Sequence, residues 1–194
     1  MATTTIPLFP LNTVLFPGGP IKLRIFEQRY VDMVSRCMRE DAGFGVALIT
    51  EGVEAGGPAR TVNVGTLARI TDFEQLPGGL LGVTARGRAR FRIGLVRQQS
   101  DGLNLADVEW LTAEPRAHIP EDCLILADLT RQAFPQVAVH YAPDEPEYDD
   151  AGWVGMRLAE LLPLPHADQQ RCLEFLDPLE RLRFLRERIR VERA

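Results

Sequence analysis

Apolar residues along this 194-residue chain fall into two textures. Up to residue 117 the apolar runs are short and glycines are frequent, which predicts strands and turns. Beyond it, longer segments carry helical periodicity. The stretch IPLFPLNTVLFPGGPIKLRIFEQRY at residues 6–30 is dense in apolar side chains, yet Pro7, Pro10, Pro17 and Pro20 interrupt it. Proline suits neither a helix interior nor a central strand. The pattern therefore predicts an edge-type strand at 6–11, a turn at Pro17-Gly18-Gly19-Pro20, and an extended 22–26 leading into a helix.

In that helix Tyr30, Met33, Val34, Cys37 and Met38 recur at one face, and Gly43 marks the end. FGVALIT at 44–50 reads as a buried strand and EGVEAGGPAR as a glycine-rich loop. Four strand segments follow, TVNVGTLARITDF, LLGVTARG, RARFRIGLV and LNLADVEW, separated by Pro-Gly-Gly and Asp-Gly turn signals. In RARFRIG, Ala89, Phe91 and Ile93 alternate with Arg88, Arg90 and Arg92. In LADVEW, Ala106, Val108 and Trp110 alternate with Asp107 and Glu109. Pairing of the two would set arginines beside carboxylates on an outer face. At least six short strands around one helix predict a small closed or partly closed barrel.

Pro115 and Pro120 bracket a connector, so the chain divides into a strand-rich part at 1–117 and a helical part at 118–194. EDCLILADLTRQAF forms a helix stopped or kinked at Pro135, and YAPDEPEYDD is an acidic, proline-bearing linker. Asp149 or Asp150 caps a helix carrying Trp153, Val154, Arg157, Leu158, Leu161 and Leu162. HADQQRCLEFL adds a short helix. Asp177-Pro178-Leu179-Glu180 launches the last one, with Leu179, Leu182, Leu185 and Ile189 inside and arginines outside. The fold class expected is α+β, a β-barrel-like lobe followed by a helical bundle.

Composition changes this picture little. With 45% hydrophobic and 25% charged residues the chain is globular, and its net charge of −5 argues against bulk attraction to nucleic acid or anionic membrane. Lys22 is the only lysine. Cys37, Cys123 and Cys172 are distant and odd in number, which suits free thiols in a reducing cytoplasm rather than a disulfide framework or metal site. A basic n-region and an uninterrupted membrane-spanning run are both missing.

Candidate chemistry is sparse. Ser35 and Ser100 lie outside any nucleophile elbow, and G-x-x-x-x-G-K-[ST] and H-E-x-x-H are absent. His118, His140 and His166 lack ligand-like neighbours. Arg86, Arg88, Arg90, Arg92 and Arg97 raise the question of a basic face for phosphates. No aromatic interleaves with them, and Asp107 and Glu109 are available as partners. The residues point to a binding module, not an enzyme, with no cofactor and no metal.

PLFPLNTVLFPGGPIKLRIFEQRYVDMV resembles the start of the Lon N-terminal domain family, the substrate-recognition region of the ATP-dependent Lon protease. FGVALI, VGTLARI, RGRARFRI, WVGMRLAELLPLP and the D-P-L-E-R-L ending follow in the family's order, so the likeness runs along nearly the whole chain. The resemblance implies a PUA-like lobe, of the kind also found in cereblon, then helices. It implies binding of unfolded or flexible protein segments, with a proteolysis machine as a further partner, without the family's ATPase and Ser-Lys protease domains. Candidate contacts are Phe16, Pro17, Arg24, Phe26 and Glu27, beside or between the two lobes. The alternatives are a PUA-like barrel binding small molecules or RNA, and a hydrolase pairing one cysteine with a histidine.

Overall fold

The structure, a computed structural model, describes residues 3–54, 59–141 and 145–189. Parts of the predicted glycine-rich loop (55–58) and acidic linker (142–144) lie outside the described residues. The chain forms two compact units, Met1–Thr112 and Ala113–Ala194.

The first unit is a seven-stranded sheet with one helix. Its strands are β1 (Thr4–Leu11), β2 (Pro20–Ile25), β3 (Phe44–Gly52), β4 (Ala59–Thr61), β5 (Val64–Leu76), β6 (Leu80–Gln98) and β7 (Asn104–Trp110). Pairings run β1–β7–β6–β5–β3 and return to β1, while β4 joins β3 and β2 joins β6. β1 is not the edge strand its prolines suggested. Residues 4–8 pair antiparallel with β7, and residues 8–11 pair parallel with β3. Because the strand changes partner at Leu8, Pro7 and Pro10 each flank one neighbour, leaving an open side for a nitrogen that cannot donate.

Two apolar clusters fill this unit. Ile6, Leu8, Ala47, Phe91, Ala106 and Val108 form one. The other gathers around α1 (Gln28–Arg39), where Tyr30, Met33, Val34 and Cys37 are buried against Phe9, Phe44 and Val83. Met38, expected on the same face, is 41% exposed. The buried stripe runs as far as Cys37, and Met38, one residue before α1 ends, lies at its margin.

The 91–93 segment of β6 pairs with β7 as predicted, with Phe91 opposite Trp110 and Arg92 opposite Glu109. The simple alternation does not extend upstream. Between Thr66↔Arg90 and Ala68↔Gly87, β5 advances two residues and β6 three. This bulge reverses the side-chain phase, so Ala89 is exposed while Arg90 and Arg86 are buried. The 16–19 loop packs on β6 there. Gly18 N donates to Gly87 O at 2.9 Å, Gly87 N donates to Gly19 O at 2.9 Å, and Arg86 Nε donates to Gly18 O at 3.0 Å.

The second unit holds α2 (Leu124–Ala133), α3 (Ala151–Leu161), α4 (His166–Glu174) and α5 (Pro178–Arg188). α3 touches the other three, and its Val154, Met156, Leu158 and Ala159 are buried. Asp150 caps α3 by accepting from Trp153 N at 2.8 Å, and it also accepts from Ala117 N at 3.0 Å. Asp177 caps α5 through Leu179 N at 2.8 Å, as the Asp-Pro-Leu-Glu spacing predicted. The arginines of α5 are not all outside: Arg181 is fully buried. Among the described residues no helix is long and apolar enough to cross a membrane.

Candidate protein-binding groove beside strand β2

A groove of about 350 Å³ opens along β2, at the small end of the ~300–1,000 Å³ range of ligand sites. One wall is every residue from Ile21 to Glu27, and the other comes from the end of β1 at Leu11, with Thr13 and Glu54. Neighbouring residues of a strand point to opposite faces. A groove lined by five consecutive strand residues therefore runs along the strand's edge. β2 pairs only with β6, and its other edge has no strand partner among the described residues.

Aromatic rings form the floor. Phe9 of β1 stacks on Tyr30 of α1, with ring centroids 4.0 Å apart and planes 17° off parallel. The Arg29 guanidinium lies 4.6 Å from the Tyr30 ring centre, donates to Gly102 O at 2.8 Å and pairs with Glu27 at 2.8 Å. Burial pushes the Tyr30 hydroxyl above its ordinary 10.0; Arg29 opposes that rise, and Glu27 and Glu54 add to it. The Glu27 carbonyl accepts from Tyr30 N and Val31 N in the first turn of α1, which fixes the corner between strand and helix. Phe26, just before that corner, is 64% exposed.

The candidate contacts separate accordingly. Arg24, Phe26 and Glu27 come together on the groove wall. Phe16 does not: it is 0% exposed, a core side chain that no partner reaches, because its loop is pinned to Gly87. Pro17 is half-buried and is not among the residues lining the groove. Lys22, with Ile21, Leu23 and Ile25, belongs to the groove but was not singled out from sequence. The apolar–basic alternation of IKLRI was the available signal.

The rest of the molecule offers little chemistry. All three cysteines are buried, and burial raises each thiol above its ordinary value, Cys172 to about 11. That disfavours the thiolate a cysteine hydrolase needs. The arginines of β6 form no continuous basic face, since Arg86 and Arg90 are buried and Arg97 pairs with Asp107 at 2.7 Å. Among the described residues no group of three or more His, Cys, Asp or Glu side chains is placed to hold a metal.

The family model for the ATP-dependent protease La (LON) substrate-binding domain matches residues 5–190. The chain belongs to the Lon substrate-binding domain family. Lon protease 2 of Myxococcus xanthus is 24% identical over 195 residues, which covers 97% of this chain and 24% of that protein. Protein cereblon of Danio rerio is 29% identical over 130 residues, covering 65% of this chain and 29% of its own length. This chain thus spans about a quarter of the curated Lon relatives it matches. Among solved structures, a Lon N-terminal domain protein from Xanthomonas campestris is 37% identical with a TM-score of 0.79, covering 94% of this chain and 96% of that one. The N-terminal domain of the Mycobacterium avium complex Lon protease, at 19% identity and a TM-score of 0.67, shares the fold over 95% of this chain and 97% of its own. The region matched in the Lon family is the substrate-binding part, not the catalytic one.

Proposed function

We propose that this chain is a non-catalytic module that engages unfolded or flexible segments of other proteins in the groove beside β2. The observation that carries this reading is a largely apolar groove lying along a strand edge that has no strand partner among the described residues, with Phe26 standing exposed at its end. Arg24 and Glu27 flank Phe26 there. Membership of a substrate-binding family supports the same role, and partnership with a proteolysis machine in the cytoplasm follows from it as part of the proposal. The circuit of strand pairings supports a small PUA-like barrel at 1–117, and the packing of α3 against its neighbours supports a helical bundle at 118–194. A small-molecule or RNA role has no comparable support, because burial of Arg86 and Arg90 and the pairing of Arg97 with Asp107 interrupt the basic strand.

The test is fluorescence anisotropy with a permanently unfolded, reduced and alkylated protein. Phe26→Ala should weaken binding about tenfold, the equivalent of ~1.4 kcal/mol lost from a Phe buried on contact. Wild-type protein that is folded and binds no unfolded chain would overturn the proposal.

A further inference from the structure

We propose that the free edge of β2 takes up an extended peptide as an added strand, and that it selects segments in which apolar and acidic residues alternate. This rests on the groove reading above and makes its occupant specific. Ile21 and Leu23 are half-buried against the core and Ile25 is buried, whereas Lys22 and Arg24 are exposed. β2 is thus a two-faced strand, apolar toward the core and cationic outward. A strand hydrogen-bonded to its edge would continue both faces, placing alternate side chains beside the isoleucines and leucine or beside the two cations.

The charges of the groove are unevenly satisfied. Glu27 pairs with Arg29, and Glu54 accepts the N–H of Asn12. Lys22 and Arg24 have no carboxylate within ion-pair distance among the described residues. The register rows Lys22↔Thr84↔Asp72 and Arg24↔Gly82↔Glu74 put two carboxylates on the same face, but on β5. An added strand would lie ~4.8 Å from β2 and about 14 Å from β5. The latter exceeds the ~8 Å Debye length at physiological salt. Lys22 and Arg24 are therefore the nearest charges on that outer face of β2, while Glu54, whose partner is a neutral amide, stands on the opposite wall of the groove.

The same charges exclude a second copy as the occupant. Antiparallel pairing of two β2 edges would set Lys22 and Arg24 against their own duplicates, and like charges across strands destabilise pairing. Lysine on an edge is a known barrier to self-pairing. A partner carrying carboxylates at alternate positions passes that barrier.

Lys22, as the only lysine, gives the test a single reporter. The probe is an end-blocked Val-Glu alternating peptide, compared with an isomer of equal composition whose glutamates form one block. The alternating peptide should bind at least about fivefold tighter. Its affinity should fall as salt rises from about 0.01 to about 0.15 M. A zero-length carbodiimide should join one of its carboxylates to Lys22, as read by mass spectrometry. N-methylation of alternate peptide amides in one parity should abolish binding, and in the other parity spare it. Charge reversal at both exposed positions, Lys22→Glu with Arg24→Glu, should transfer preference to a Val-Lys peptide. Equal binding of the two isomers, or indifference to N-methylation in both parities, would overturn strand addition while unfolded protein still bound the groove. Failure of every apolar segment to bind would overturn the groove reading as well.

Discussion

Arg181 Nη1 donates to Glu114 Oε2 at 2.8 Å while Nη2 donates to Oε1 of the same carboxylate. The guanidinium is completely buried, and its Nε and Nη2 also donate to the carbonyls of Cys172, at 2.7 Å, and Phe175, at 3.1 Å. One side chain thus ties the segment entering the helical unit to α5 and to the end of α4. Removing one member leaves the other charge buried and uncompensated. Arg181→Met should cost about 3–5 kcal/mol in urea unfolding. Adding Glu114→Leu should recover about 1–2 kcal/mol but not all, because the two carbonyls still lack a donor. Additive losses in that double-mutant cycle would show that the pair is not coupled.

Gly87 is a second place where geometry leaves no choice. A Cβ there would stand 2.1 Å from the carbonyl oxygen of Phe16, which is backbone and has nowhere to go. Gly87→Ala should destabilise by about 2–3 kcal/mol and loosen the 16–19 loop. Equilibrium unfolding, together with faster amide exchange at Gly18, measures both effects.

Thiol burial sets an alkaline limit. Desolvation raises Cys172 from 9.0 to about 11, against the opposing charges of Arg181 and Arg188. The folded state therefore holds this proton more tightly than the unfolded chain. Its contribution to stability is fully present below pH 9 and is lost as pH climbs through 11. A two-unit difference corresponds to roughly 2–3 kcal/mol. Cys172→Ala should flatten the fall in stability between those two pH values, and an unchanged slope would place its cause elsewhere. In the folded wild type at pH 8, all three thiols should resist alkylation.

Local pattern was enough for much of the architecture. The α1 face, the β6–β7 pairing at 91–93, the end of α2 before Pro135 and the capped start of α5 all follow from short-range periodicity and cap chemistry. The departures have one kind of origin. The prolines of β1 suggested an edge, but the strand changes partner midway. Arg88 to Arg92 suggested a clean outer face, but one extra residue in β6 reversed the phase. The arginines of α5 suggested solvent, but Arg181 meets Glu114, 67 residues away in sequence.

The groove divides in the same way. Its apolar and basic alternation at 21–25 is written in IKLRI, and the resemblance of LRIFE to the Lon N-terminal domain family is what marked Arg24, Phe26 and Glu27. Only the tertiary structure decided that Phe16 is core and Phe26 is not, since burial depends on which strands close over a residue. Only it decided that, among the described residues, β2 has a strand partner on one edge alone, because a strand's hydrogen-bonding capacity is used or spared by neighbours far away in the chain. Periodicity determines which side of an element is apolar; the pairing of distant strands determines which edges remain to bind.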